Sequence, residues 1–239
     1  MKNYQTRKWK SIFPIAICIH IIGKILNCIR VRMFPSNICS ICNSRIFFGD
    51  ESNPKKYCSV CHSHERHRAL TKKLKTLPIE GKTFLEVAPL SPLIYGGVLK
   101  KLGCKNYLSC DKWSNGNPHD PRNVEFADFF CDLVNLDKSI NEKFDYIIIQ
   151  HVIEEIEDYK LGLIAINNSL NDSGTAILEI PSSNITEHIR LKNGKFGNEW
   201  SFSRSKLLND LASIFNSVDI WNFEESNTSI EIFACYKKN

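Results

Sequence analysis

The sequence predicts an α/β fold with a mostly parallel sheet, preceded by a small cysteine-rich module. Three observations predict it: a strand–helix–strand unit in mid-chain, two alternating strands near the end, and two C-x-x-C pairs near the start. A chain of 239 residues can hold one α/β domain and a small appendage. We expect three parts, namely an N-terminal segment over 1–35, a ribbon with its linking helix over 36–78, and the main domain over 79–239.

The mid-chain unit begins with Phe144–Gln150, a continuous apolar and β-branched run that predicts a strand buried on both faces. Residues 158–170 follow with helical spacing, and we expect their buried stripe to be Leu161, Ile164, Ala165 and Asn168. The Asp172–Gly174 turn then leads into a second strand over 175–180, which Pro181 ends.

Parallel strands of this kind bind ligands at their carboxyl ends. The polar residues that follow the first strand should therefore line a pocket: Gln150, His151, Glu154 and Glu155.

The segment IIIQHVIEEI resembles the S-adenosylmethionine-dependent methyltransferases of the seven-stranded Rossmann-like type. In that family an apolar strand leads into a polar pair, V-L-E-H, a helix, a glycine turn and a strand closing on proline. This chain differs in having Glu155 where the family usually has His. The resemblance implies a seven-stranded sheet with a terminal antiparallel hairpin, and S-adenosylmethionine as cofactor.

Residues 82–89 (KTFLEVAP) predict the first strand of the sheet and the loop after it. The resemblance assigns Glu86, Ala88 and Pro89 to the cofactor, at the place where most of these methyltransferases read E/D-x-G-x-G-x-G. No glycine follows here until Gly96, so we expect Ala88 and Pro89 to turn the chain without a positive φ angle.

The next two strands each end in an acid. We expect a helix over 93–102, then a strand over 106–110 that ends at Asp111, a position suited to bind both ribose hydroxyls of a nucleoside, including NAD. A third strand lies within 124–132. The resemblance implies that Asp132 accepts from the adenine amino group, that Leu133 packs on the ring and that Gln150 also contacts the cofactor; Asp128 is the rival to Asp132.

The remaining segments predict a lid, a helix and a closing hairpin. Residues 182–200 form a long polar insertion, a lid or loop whose candidate substrate contacts are His188, Arg190 and Trp200. An amphipathic helix over 202–215 precedes two alternating strands, over 219–223 and 229–236. This antiparallel ending distinguishes the methyltransferase sheet from that of a Rossmann dehydrogenase.

The two C-x-x-C pairs, separated by fifteen residues, predict a four-thiolate zinc site in a ribbon: Cys39, Cys42, Cys58 and Cys61. Four protein ligands leave no open position, so the zinc is expected to be structural. Free thiols or a redox pair are the alternative. The other six of the ten cysteines are scattered, which suits a reducing, cytoplasmic compartment.

A charged helix follows the second cysteine pair, and we expect Ser63 to cap it. A zinc ribbon leading into S-x-E-R-H-R and then a methyltransferase domain resembles a bacterial family of zinc-ribbon methyltransferases. Arg66 and Arg68 either grip an anionic group of the substrate or pair with acids of the main domain.

Basic residues are concentrated at the front of the chain. Residues 1–82 hold 16 Lys/Arg and 4 Asp/Glu (net +12), whereas residues 83–239 hold 15 and 22 (net −7). This basic part of the chain is suited to bind nucleic acid, a membrane surface or a phosphorylated substrate. A solvated basic face without a partner is the alternative. Residues 1–34 contain an apolar run of eleven, too short for a membrane span, so peripheral membrane association and a helix packed on the body both stay open.

Three functions are consistent with the sequence. The first is a methyltransferase for a small-molecule or carbohydrate-type acceptor, with His151 as general base and Glu154 and Glu155 in reserve. The second is an RNA methyltransferase that binds RNA through the basic ribbon. The third is a non-catalytic scaffold with a degenerate cofactor site. The oligomeric state is not predicted.

Overall fold

The structure is a computed structural model that describes residues 38–48, 57–89, 94–112, 127–192, 198–225 and 228–238. The chain divides into two compact units, Met1–Lys72 with Glu225–Thr228, and Lys73–Glu224 with Ser229–Asn239. The predicted N-terminal segment, with its proposed membrane contact, lies outside the described residues. Among the described residues, no helix combines the length and the apolar content that a membrane crossing requires.

The first unit contains a two-stranded antiparallel ribbon of β1 (Phe47–Phe48) and β2 (Tyr57–Cys58), followed by helix α1 (Glu65–Leu74). The helix begins two residues after Ser63, so the predicted Ser63 cap is wrong. The Ser63 hydroxyl instead contacts the sulfurs of Cys39 and Cys61, at 3.6 and 3.2 Å.

Of the two roles predicted for Arg68, burial argues against a grip on the substrate, because its side chain is only 1% exposed. The guanidinium donates to the Ser63 carbonyl at 2.9 Å and lies over the Phe47 ring at 5.1 Å. Arg68 therefore packs inside the ribbon and is too deeply buried to grip a substrate. Its aliphatic stem covers apolar surface while its polar head is satisfied by a carbonyl, which a count of charges in sequence does not reveal.

The second unit is built on a seven-stranded sheet, as predicted. Five strands run parallel: β3 (Thr83–Val87), β4 (Asn106–Asp111), β5 (Phe129–Phe130), β6 (Phe144–Gln150) and β7 (Leu170–Glu179). Two closing strands, labelled β11 (Ser217–Glu225) and β12 (Thr228–Tyr236), complete it. The order is β11-β12-β7-β6-β3-β4-β5, with β12 antiparallel to β7.

Helices and turns connect the strands. The helices are α2 (Tyr95–Lys101), α3 (Leu136–Ser139), α4 (Tyr159–Ser169) and α5 (Arg204–Ile214). Short 3-10 turns cover Leu133–Asn135 and Ile153–Glu155. Strand β7 starts directly after α4, five residues earlier than predicted, and its register shifts where it meets Phe144 and Tyr146.

Helix α4 buries a different face from the one predicted. Leu161 and Ile164 are 51% and 43% exposed, whereas Leu163 and Ile166 are fully buried. Gly162 lies on the buried face beside the neighbouring turn, where a Cβ would be 3.4 Å from Ile156 Cδ1, an ordinary contact distance. Two overlapping stripes satisfy the helical period, and packing selects between them.

The insertion after β7 is more ordered than a lid. Strands β8 (Ser182–Ser183), β9 (Ile189–Arg190) and β10 (Trp200–Ser203) form a second sheet in the order β8-β10-β9. The described parts of this segment therefore contain short strands where the sequence predicted a lid or loop.

Candidate functional site

The carboxyl ends of β3, β4 and β6 lie at one edge of the sheet. Backbone hydrogen bonds extend the ladders beyond the strands: the Ala88 amide donates to the Cys110 carbonyl at 2.7 Å, and the His151 amide donates to the Glu179 carbonyl at 3.0 Å. The structure therefore brings Ala88, Asp111 and His151 to the same edge. In an open parallel sheet this edge is the usual place for a ligand.

Ala88 turns the chain in a left-handed conformation, with φ of 52°. This corrects the expectation that the loop turns without positive φ. The conformation is the one that glycine adopts freely, and for an alanine it costs about 1–2 kcal/mol. Ala88 is exposed and Pro89 is buried, so the backbone of this turn is open on the site side.

Glu86 stands two residues before that turn, is 5% exposed and accepts a 2.5 Å hydrogen bond from the Tyr107 hydroxyl. Burial raises the pKa of Glu86 to about 8, and the Tyr107 hydrogen bond opposes this. The carboxyl is therefore mostly protonated at neutral pH. The predicted contact of Glu86 with a cofactor would have to be made by a neutral carboxyl group.

The two rival acids near β5 differ in their surroundings. Asp128 precedes the strand, and its Oδ2 accepts from both the amide and the hydroxyl of Ser109, each at 2.8 Å. Asp132 follows the strand, caps the next turn through Val134 and pairs with Lys112 at 3.1 Å. Asp132 is therefore the acid at the strand end, held by an ion pair that a ligand can displace.

Leu133, predicted to pack on an adenine ring, is 5% exposed and belongs to the hydrophobic core. Its side chain lies near Gly162 of α4: a Cβ at that glycine would be 3.9 Å from Leu133 Cδ2. The side chain thus contributes to core packing.

His151 is held between two glutamates. Its Nδ1 lies 3.0 Å from Glu154 Oε1, and its Nε2 lies 3.3 Å from Glu179 Oε1. The second Glu179 oxygen accepts from the Gln150 amide at 2.6 Å, and the Tyr95 hydroxyl donates to Gln150 Oε1 at 2.5 Å. Side chains from β6, β7 and α2 thereby join in one hydrogen-bonded chain.

Glu154 and Glu155 occupy the 3-10 turn after β6. Glu154 is 2% exposed, and its Oε2 is buried without a hydrogen bond to any described residue. Burial raises the pKa of Glu155 to about 7, assisted by the charges of Glu154 and Asp111 and opposed by His151.

The predicted substrate contacts of the insertion are engaged elsewhere. His188 accepts from the Ser203 amide through Nδ1 and bonds Asp210 through Nε2, at 3.0 and 3.1 Å. The Trp200 indole donates to the Ile156 and Glu157 carbonyls. Arg190 pairs with Glu157 at 2.5 Å. These contacts hold the small sheet to residues 156–157 and to α5, and a substrate contact by the same side chains stays a prediction.

An open depression of about 350 Å³ lies beside these residues, lined by Lys160, Glu187, His188, Lys206, Asn209 and Asp210. Its charges are already paired: Asp210 bonds Lys160 at 2.7 Å and also accepts from the Tyr159 hydroxyl. Lys206 pairs with Glu187. Such internal neutralisation leaves little charge for a ligand.

The four cysteines of the ribbon converge, with all four sulfurs within 4.8 Å of one another. Both C-x-x-C knuckles have the same backbone: the amides of Asn43 and His62 donate to the carbonyls of Cys39 and Cys58, each at 2.9 Å, with φ of 61° and 57°. Hydrogen bonds from Cys42, Cys58 and Cys61 lower the pKa of Cys39. Clustered thiols with a ready thiolate suit tetrahedral zinc.

Comparison with known proteins gives relatives at the level of structure. No profile of a known protein family and no curated protein matches the chain. Among solved structures, the 1,6-didemethyltoxoflavin-N1-methyltransferase of Burkholderia thailandensis, with S-adenosylhomocysteine bound, has a TM-score of 0.53 at 16% identity, over 71% of this chain and 76% of that one. The N-terminal domain of EvdMO1, in the presence of S-adenosylhomocysteine and D-fucose, gives 0.54 at 12% identity, over 74% and 84%.

A third structure, the complex of the Haloferax volcanii Trm112 methyltransferase activator with a methyltransferase, gives a TM-score of 0.51 at 9% identity, over 73% of this chain and 90% of that one. The fold is that of the Rossmann-like methyltransferases. At these identities the likeness extends to the fold alone.

Within this methyltransferase fold, three residues at the site were not singled out from the sequence: Tyr95, Tyr107 and Glu179. Glu179 had a local signal, since it is the lone charge in the apolar run AILEI. A charge in a buried strand needs a partner. The two tyrosines had no such signal, because a tyrosine in a helix or strand is ordinary core material.

Proposed function

We propose that the protein is an S-adenosylmethionine-dependent methyltransferase acting on a small-molecule or carbohydrate-type acceptor. The observation that carries the proposal is the pair of acids, Asp111 and Asp132, at the ends of β4 and β5 beside the exposed Ala88 turn of a methyltransferase fold. Carboxylates accept from ribose hydroxyls and from an amino group, and an open backbone turn admits a nucleoside.

In this proposal Asp111 binds the ribose hydroxyls and Asp132 binds the adenine amino group after exchanging Lys112. The Ala88–Pro89 turn approaches the cofactor. Gln150, which is held by hydrogen bonds to Tyr95 and Glu179, contacts the cofactor from the other side. When bound, the cofactor supplies an activated methyl group on a sulfonium. The residues of this chain align the acceptor, exclude water and remove a proton.

The charge of the site supports a small acceptor over RNA. The partly exposed acids of this edge are Asp111, Asp132 and Glu155, and their carboxylates repel a phosphate backbone. Two of the similar structures were solved with a small heterocycle and with a sugar present, which agrees with this class of acceptor. The four cysteines would hold one structural zinc ion.

Calorimetric titration of S-adenosylmethionine and S-adenosylhomocysteine into zinc-loaded protein tests the proposal. We expect saturable binding that Asp111→Ala weakens at least tenfold, since each lost ribose hydrogen bond to a charged acceptor contributes about 1.5–3 kcal/mol. Asp172→Ala is the matched control, because this exposed acid lies near the opposite end of the sheet, in β7.

The non-catalytic scaffold is the second candidate, favoured by the strained, glycine-free first loop. Absence of binding by the folded, zinc-loaded protein would establish it over the methyltransferase. Tight RNA binding with a steep salt dependence, together with cofactor binding, would replace the small acceptor with RNA.

A further inference from the structure

His151 has no ring nitrogen left to act as a base. A neutral imidazole offers one donor and one acceptor nitrogen, whereas both nitrogens here face carboxylate oxygens, of Glu154 and Glu179. Both ring nitrogens of His151 are therefore already engaged, whichever of them carries a proton.

The two glutamates that flank His151 are also committed. Glu179 is 9% exposed and uses its other oxygen to accept from Gln150, while Glu154 is 2% exposed. A buried carboxylate that already bonds an imidazole cannot readily reach a ligand. The assignment of His151 and Glu154 as catalytic residues stays a prediction, but the geometry favours a neighbouring residue as the general base.

Glu155 differs from both. Its amide donates to the Val152 carbonyl at 3.0 Å, which ties the backbone into the turn. Its carboxylate makes no hydrogen bond to any residue that the structure describes, and it is partly exposed. Of the three glutamates around His151, it is therefore the one whose backbone is held in place while its carboxylate is available to a ligand.

Sheet topology places Glu155 across the site from the candidate ribose acid. Strand β3 lies between β4, which ends at Asp111, and β6, which leads into the Glu155 turn. Neighbouring strands are about 4.8 Å apart, so the ends of β4 and β6 are separated by about 10 Å, with the Ala88 turn between them. A nucleoside bound at Asp111 and running across Ala88 would point its far end toward Glu155.

We infer that the Glu155 carboxylate faces the sulfonium centre and takes the proton of the acceptor. This inference rests on the proposed function. In the step, a lone pair of the acceptor oxygen or nitrogen forms a bond to the methyl carbon, and the carbon–sulfur bond breaks with its electron pair left on sulfur. The proton of the acceptor passes to the Glu155 carboxylate, leaving a methylated acceptor and a neutral thioether.

The charges around Glu155 suit this role. Burial, Glu154 and Asp111 raise its pKa to about 7, and His151 opposes them, so the group is close to half-ionised at neutral pH. Among the described elements, β10 and α4 pack against its turn. Of these, β10 carries no titratable side chain, and α4 carries Tyr159 and Lys160, which both bond Asp210. A bound cation would favour the ionised form and release a proton.

The test compares a charged ligand with an uncharged one. S-adenosylmethionine carries the sulfonium, whereas S-adenosylhomocysteine is a neutral thioether of nearly the same shape. We expect Glu155→Gln to weaken S-adenosylmethionine binding about tenfold at pH 8, from the loss of a partly solvated charge pair. Binding of S-adenosylhomocysteine should change less than twofold. Glu157→Gln is the matched control, because Glu157 is 75% exposed and lies two residues away.

Proton release supplies a second readout. Titrations near pH 7 in buffers of different ionisation enthalpy should show a fraction of a proton released by the wild-type protein on binding S-adenosylmethionine. We expect none with Glu155→Gln, and restoration with Glu155→Asp, which keeps the charge. Thermal unfolding of each variant checks that the protein was folded during the titrations.

The outcomes distinguish a failure of this inference from a failure of the proposed function. Failure of both ligands to bind the wild-type protein overturns the proposed function. Equal weakening of both ligands by Glu155→Gln, or no weakening, overturns the inference alone. If His151→Ala abolishes the proton release and Glu155→Gln does not, the base is His151.

Discussion

Ala88 and His151 adopt the same left-handed backbone conformation, with φ of 52° and 55°, directly after the hydrogen-bonded parallel strands β3 and β6. Each conformation is costly for a residue that has a Cβ, and such strain persists where the surrounding structure imposes it. The two turns lie side by side at the carboxyl edge of the sheet. Two strained turns side by side support this edge as the candidate site.

Replacing Ala88 by glycine is expected to stabilise the protein by about 1 kcal/mol, because glycine adopts this φ without strain. Urea denaturation measures the change in the free energy of unfolding. Ala212→Gly is the control: this alanine is exposed within α5, where glycine should instead cost about 1 kcal/mol. Equal destabilisation by both substitutions would contradict the strain at Ala88.

The adjacent glycines of α2 should respond oppositely to alanine. A Cβ at Gly96 would lie 2.8 Å from Cε1 of Tyr107, whereas a Cβ at Gly97 would meet nothing within 4 Å. We expect Gly96→Ala to destabilise by about 1–3 kcal/mol through overpacking, and Gly97→Ala to stabilise by about 0.5–1 kcal/mol through helix propensity. Thermal unfolding of the pair provides the measurement, and the same sign for both would refute the close packing of α2 on β4.

The buried carboxyl of Glu86 should make stability fall as pH rises. Its pKa is raised from 4.5 to about 8, so between these values the folded state binds more protons than the unfolded state. The slope of the unfolding free energy with pH is proportional to the protons bound by the unfolded state minus those bound by the folded state. That difference is negative across this window, so the free energy of unfolding falls as pH rises.

Glu86→Gln should flatten this fall, since glutamine keeps the shape and remains neutral. Denaturant midpoints measured from pH 5 to 9 for both proteins test it, with Glu80→Gln as an exposed control that should retain the wild-type slope. A pH profile unchanged by Glu86→Gln would mean that this carboxyl is already ionised in the folded state.

Removing zinc is expected to unfold the ribbon. Below about 40 residues a module rarely has enough core to fold without a staple, and here the four sulfurs supply it. Metal analysis should give one zinc per chain in the wild-type protein and little in Cys61→Ser. Cys104→Ser is the control, since Cys104 lies outside the cluster. Full zinc occupancy in Cys61→Ser would contradict the four-cysteine site.

How much of the site was predictable depended on how local each signal was. The strand Phe144–Gln150 has the bounds predicted for it, and the closing hairpin lies where the alternation indicated, because both follow from neighbouring residues. Asp111 and His151 reach the expected edge because a parallel crossover fixes which strand ends meet. The partners of His151 were only half predictable: Glu154 is three residues away, but Glu179 is on another strand.

By itself, the sequence determined the parallel strand–helix–strand unit, the closing hairpin, the cysteine cluster and the edge at which the polar residues gather. These depend on period, spacing and chain order. Only the tertiary structure decided the φ of Ala88, the buried stripe of α4, the burial of Arg68 and the carboxylates around His151. The physical reason is that each of these is a competition between near-equal local alternatives. Packing and hydrogen bonds with residues distant in sequence decide that competition.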